Sequence, residues 1–179
     1  MKSIRLPPTI LLGLFLIACS VTLPFTYAPS NLTIGSGSVS VERFIYTPTR
    51  KGHLEPNQLE TNPSAIGYAY LSNDIESLFT DAVRKELRFS GYKLTEGVPI
   101  LIGGTIDRFY HDWVGYTTIS VDMVVTFKVR EDGRVIFSQT ITSHKNAPKA
   151  TGYDIEAMKS VVSDCIQQFL QEVRGKGIL

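Results

Sequence analysis

The stretch Tyr116-Thr117-Thr118-Ile119-Ser120-Val121-Asp122-Met123-Val124-Val125-Thr126-Phe127-Lys128-Val129-Arg130 decides the fold. Ile119, Val121, Met123, Val125, Phe127 and Val129 fall at every second position. That period turns one face toward a core and the other toward water, and predicts the longest strand of the chain over 116–130. Asp132-Gly133 follows, a dipeptide suited to a tight hairpin. Arg134 to Ser143 then reads as the returning strand, with Val135, Phe137 and Ile141. Upstream, Pro99 to Tyr110 reads as a strand with Gly103-Gly104 inside it, and Tyr92 to Leu94 as a short strand or turn. These pieces predict an antiparallel meander.

Two helices flank it. Over 73–90, Ile75, Leu78, Phe79, Ala82, Val83 and Leu87 recur at helical spacing, with Asp81, Arg84, Lys85 and Arg88 on the other side. Asn73 can cap this helix, Glu76 three residues later completes a capping-box-like pair, and Gly91 can end it. Over 154–174, Ile155, Met158, Val161, Val162, Cys165, Ile166, Phe169 and Val173 share one face, and Gly175 ends the helix. The expected class is α+β: an antiparallel sheet of about four to five strands with two amphipathic helices packed on one face.

Between the N-terminus and the first helix the signals are weaker. Leu32 to Phe44 reads as a strand in which Gly35 and Gly37 mark a bulge or a close approach. A phosphate-loop reading of those glycines fails, because no Lys-Ser/Thr pair follows. Residues 45–71 form a long connection with Pro48, Pro56 and Pro63, within which Ile66 to Leu71 reads as a hidden strand.

The first residues carry an address. Lys2 and Arg5 precede a mostly apolar run from Leu6 to Ile17, too short to span a bilayer, which takes roughly 20 residues. Leu16-Ile17-Ala18-Cys19 closes the run in the manner of a lipobox, with cleavage expected between Ala18 and Cys19. The expected organisation is a lipoprotein signal peptide over 1–18, a lipidated N-terminus and tether over 19–31, and a single periplasmic α+β domain over 32–179. Only a thiol forms the thioether to diacylglycerol, so Cys19 is the lipidation site, and stable anchoring takes at least two chains. Ser20 rather than Asp follows, which favours the periplasmic side of the outer membrane. Cys165 is then left without an intrachain partner. Removal of the first 18 of the 179 residues takes Lys2 and Arg5 away, so a formal charge of +1 becomes −1. That balance offers no electrostatic case for nucleic acid.

No catalytic constellation is visible. His53, His111 and His144 have no cysteine or second histidine at metal-ligand spacing, so no metal or other cofactor is expected. His111-Asp112 would point to opposite faces of a strand, and no serine sits in a nucleophile elbow. Asp107, Asp112 and Asp122 read as solvated strand-face residues. The expectation is a protein that is not an enzyme. One segment is distinctive: Arg108 to Tyr116 holds Phe109, Tyr110, Trp113 and Tyr116, including the only tryptophan, at the junction of two strands. These four are candidate contacts for an envelope protein, peptidoglycan or lipid, or else cross-strand pairs that finish the core.

From Asn73 onward the pattern resembles the YajG-like family of bacterial lipoproteins. The matching pieces are the helix Asp74 to Leu87, Gly91-Tyr92 after it, the strand Ile100 to Tyr110 ending in an aromatic, the strand Tyr116 to Val129 and the helix Asp154 to Val173. The resemblance implies an outer-membrane-anchored periplasmic lipoprotein and offers no catalytic residues. A more distant resemblance is to the auxiliary lipoproteins of lipid-transporting ABC systems, which implies a hydrophobic ligand held between sheet and helices.

Overall fold

The alternation that begins at Ile119 packs as its period requires. In a computed structural model, described over residues 20–29, 34–64, 67–150 and 152–179, the elements in order are β1 (Ser20–Leu23), β2 (Ser38–Val41), β3 (Ile45–Tyr46), α1 (Thr47–Arg50), β4 (Tyr68–Leu71), α2 (Ile75–Phe89), β5 (Lys93–Leu94), β6 (Ile100–Val114), β7 (Thr118–Glu131), β8 (Arg134–Pro148) and α3 (Tyr153–Gly175). The class is α+β. Strands β6, β7 and β8 form the predicted antiparallel meander. Asp132 (φ 48°) and Gly133 (φ 80°) both adopt positive φ, the conformation of a type I′ hairpin turn.

The rest of the sheet departs from the expectation. It is mixed, in the order β5-β2-β6-β7-β8, with β3 also paired to β6. Strands β2 and β3 run parallel to β6, and β5 parallel to β2. Between β3 and β6 the chain crosses over through α2, and a crossover returns a strand in the parallel sense. Alternation reports which face is buried, not the direction of a neighbour, so the sequence pattern was silent on this. The predicted strand over 32–44 is a strand only over Ser38–Val41. Gly35 does mark a close approach, since a Cβ there would run into the Tyr92 ring.

A second departure lies at the N-terminal end. Residues 20–29, expected to belong to a tether, pack as part of the domain. Strand β1 pairs in parallel with β4, Ser20 opposite Tyr68, and Phe25 and Tyr27 are buried. Val21, Leu23, Phe25 and Tyr27 fall at alternate positions across Pro24, a strand-like period that a proline tolerates at a sheet edge. The hidden strand expected within 66–71 is β4. The leader and Cys19 lie outside the described residues.

Both long helices cover one face of the sheet, and Phe127 shows it. Its ring stacks on Phe169 of α3 at 4.4 Å and 8°, and meets Phe79 of α2 at 6.0 Å and Phe44 at 5.5 Å. Helix α2 is capped by Asp74, whose carboxylate accepts from the Ser77 amide at 2.8 Å, rather than by Asn73. Glu76 turns inward, accepting from the Tyr46 amide at 3.0 Å and from Arg43 Nε at 2.9 Å. Gly91 (φ 94°) ends the helix with Tyr92 N–H donating to Leu87 C=O and Gly91 N–H to Arg88 C=O, a Schellman motif. Under the sheet, the Tyr27 hydroxyl donates to the fully buried Glu86 carboxylate, and Gln167 Nε2 donates to its other oxygen at 2.8 Å. Burial, reinforced by Glu86, pushes the Tyr27 phenol well above its usual range. This network joins the N-terminal segment to both helices.

Two substitutions test this packing. Phe127→Ala should cost about 3–5 kcal/mol by denaturant unfolding, because it empties the centre of the aromatic stack. Tyr27→Phe should cost about 1–3 kcal/mol, because it withdraws a donor from a buried carboxylate. A Tyr27→Phe protein as stable as the parent would contradict the docking of residues 20–27.

Candidate functional site

The tip of the β6–β7 hairpin carries the aromatic segment. Along β6 the side chains alternate. Phe109 and His111 point into the protein, while Tyr110 and Asp112 face the other way. Phe109 is fully buried against the core, which removes it from the candidate contact residues, as the cross-strand alternative requires. Trp113 and Tyr116 are exposed at the tip, Tyr116 lying in the turn itself. Tyr110 is part-buried beneath the Arg108 guanidinium, 4.5 Å from its ring centroid.

Beside the tip lies a cleft of about 400 Å³ whose walls include Val21 of β1, Tyr68 and Ala69 of β4, His111, Trp113 and Tyr116. That volume is in the range of small-ligand sites. Asp112 Oδ2, on its rim, accepts from the Tyr110 hydroxyl at 3.0 Å and from Asn62 Nδ2 at 3.4 Å. Lys149 Nζ stands 4.4 Å from the centre of the Trp113 ring. His111 is 3% exposed, meets the Trp113 ring edge-on at 6.2 Å and 73°, and donates its backbone N–H to Glu60 C=O at 2.8 Å. Its Nε2 has no hydrogen-bond partner among the described residues. Burial lowers the His111 pKa below the ordinary histidine value, against the opposing pull of Asp154 and Asp112. The cleft therefore joins an apolar aromatic wall, a neutral imidazole with a free polar atom and a lysine. It can hold a ligand that is apolar on one side and polar on the other.

Strand directions place the start of β1 at the same end. Strand β6 runs toward the tip, ending at Val114. Glu60 bridges Tyr110 in the parallel sense, so residues 58–62 also run toward the tip. Strand β4 opposes them, Tyr70 bridging Gln58 antiparallel, and β1 is parallel to β4. Ser20 is therefore the tip-ward end of β1.

Of the other candidate groups, Asp122 and His144 do meet, with His144 Nδ1 at 2.6 Å and Arg108 at 3.9 Å from Asp122, but neither lines the cleft. Asp107 instead accepts from the Thr126 hydroxyl at 2.6 Å. His53 is exposed on the 47–64 connection. Cys165 is fully buried, and desolvation pushes its thiol up to about 12. Among the described residues no group of three or more histidine, cysteine, aspartate or glutamate side chains could hold a metal ion, and no helix is long and apolar enough to cross a membrane. Val21, Asn62, Tyr68 and Lys149 were not singled out from the sequence. They reach the cleft through non-local pairing, and only the alternation over 21–27 hinted at it.

No protein-family model matches the sequence, and no curated protein matches it. Solved structures do match. Protein XCC0632 from Xanthomonas campestris, described by the family model DUF330, aligns over 88% of this chain and 96% of its own at a TM-score of 0.67 and 14% identity. The hypothetical protein CT253 from Chlamydia trachomatis aligns over 79% and 97% at 0.53 and 10%. At these identities the likeness is one of fold. A minor lipoprotein from Acinetobacter baumannii aligns more loosely, over 78% and 93% at 0.46 and 13%, too loosely to bear on function.

The buried His111 makes stability depend on pH. With its folded pKa below the ordinary value of about 6.5, the unfolded chain binds the proton first as pH falls, and the folded state loses stability through that region. His111→Phe should remove this component. Thermal melts of the two proteins between neutral and mildly acid pH should show a smaller acid-side loss in the variant, and parallel losses would contradict the assignment.

Proposed function

We propose that this chain is a lipid-anchored periplasmic lipoprotein of the outer membrane, attached through acylated Cys19, and that it is a non-enzymatic binding or scaffolding module of the cell envelope. Residues 1–18 are its signal peptide, and the YajG-like family is the proposed kinship. The contact surface is the hairpin tip, carried by Trp113 and Tyr116 at the cleft and by Tyr110 on the other face of β6. The observation that carries this reading is the coincidence at one end of the fold: the strand that follows the lipobox cysteine and the exposed aromatics line the same cleft. The scattered partners of Asp107, Asp112, Asp122 and the histidines support a role without chemistry. The rival reading, an auxiliary lipoprotein of a lipid-transport system, asks for acyl-chain space between sheet and helices. Phe44, Phe79, Phe127 and Phe169 stand there instead, which favours the first reading.

Two measurements test it. Metabolic palmitate labelling should mark the protein, globomycin should make the unprocessed precursor accumulate, and Cys19→Ser should abolish labelling. Unaltered processing under globomycin would contradict the anchor. Trp113→Ala should weaken capture of envelope components from crosslinked cells with little change in melting temperature, since the ring is half exposed. A large loss of stability with capture unchanged would assign Trp113 to the fold instead.

A further inference from the structure

We propose that the β6–β7 hairpin tip seats in the headgroup layer of the bilayer leaflet that holds the Cys19 lipid, so that the partner of the aromatic surface is the membrane itself. The inference rests on the lipid anchor proposed above and names the occupant of that same surface.

One peptide unit, about 3.8 Å between Cα atoms, separates Cys19 from Ser20, and Ser20 is already in β1, paired with Tyr68. A chain held by lipid at Cys19 has no slack there with which to lift the domain away. Ser20 is the tip-ward end of β1, so the end of the domain drawn to the bilayer is the end that carries Trp113.

Composition agrees with that placement. Trp113 is 49% exposed, Val114 52%, Tyr116 98% and Tyr68 50%. Tryptophan and tyrosine are the side chains that settle at a membrane–water interface, apolar in the ring and polar at the edge. Residues 113–118 and 145–150, which form the end of the hairpin and the segment beside it, contain Lys145 and Lys149 and no carboxylate. That is the sign of charge anionic headgroups attract. Asp112 and Asp154 lie at this end too, and both act on His111; Asp112 is further held by Tyr110 and Asn62. A protein partner on the tip would have to enter a gap that a single peptide unit cannot open.

Trp113 is the only tryptophan in the chain, so its fluorescence reports the tip alone. The mature lipidated protein, extracted in detergent, is reconstituted into vesicles of phosphatidylethanolamine and phosphatidylglycerol, with and without bromine on the acyl chains. Trp113 emission should shift to shorter wavelength and lose intensity only where the lipid is brominated. A control protein carrying Trp113→Phe and Val135→Trp moves the probe to the opposite end of β8, roughly 40 Å away at about 3.3 Å per residue. It should show neither effect. Vesicle-bound, acylated protein whose Trp113 emission stays unshifted and unquenched overturns the inference, as does quenching confined to the Val135→Trp control. Emission that shifts only when envelope proteins are added also overturns it, in favour of a protein partner. If the N-terminal peptide carries no acyl mass by mass spectrometry, the lipoprotein reading itself fails, and the two failures are thus told apart.

Discussion

Pairing between β1 and β4 is the constraint on which the functional account depends. Four backbone positions, Ser20 to Leu23 against Tyr68 to Leu71, hold the first described residues to the fold. Phe25 and Tyr27 extend that hold into the core, where the Tyr27 hydroxyl reaches Glu86. A buried carboxylate is costly unless its oxygens are occupied. Tyr27 and Gln167 both donate to this one, so the N-terminal segment, α2 and α3 share a single polar cluster. Detaching the segment would expose apolar side chains and also leave that cluster short of a donor.

From this follows the character of the site. The cleft beside Trp113 exists because β1 and β4 form a wall opposite the hairpin tip, and without them His111 would face water. Its burial holds the imidazole neutral and leaves Nε2 without a hydrogen-bond partner among the described residues. Exposed aromatics, one lysine and a buried imidazole give the site an apolar side and a polar side.

Much of the architecture was legible in the residues. The alternation from Ile119 to Val129, the Asp132-Gly133 turn and the two apolar helix stripes all appear in the structure, with β6 and β8 longer than their patterns suggested. Each of these signals is local. The parallel partners of β6 are set by a crossover whose direction leaves no periodic trace. Asp74 took the cap from Asn73 because the helix begins one residue later, which freed Glu76 to tie down β3. At the site, the aromatic cluster was readable but its sorting was not: Tyr116 read as the start of the strand and lies in the turn before it, and the exposure of Trp113 and the burial of Phe109 depend on which way β6 faces. The opposite wall came from β1, whose period Pro24 concealed.

Residues 20–27 position the anchor only if they are part of the folded domain. Hydrogen–deuterium exchange of the mature protein, read at the amides of Val21, Leu23, Phe25 and Tyr27, measures this directly, because amides held in pairing or buried exchange only when that region opens. Protection approaching that of the β7 amides is predicted. Complete exchange within the dead time, with β7 still protected, would show a free tether and contradict the placement of the anchor at the hairpin tip.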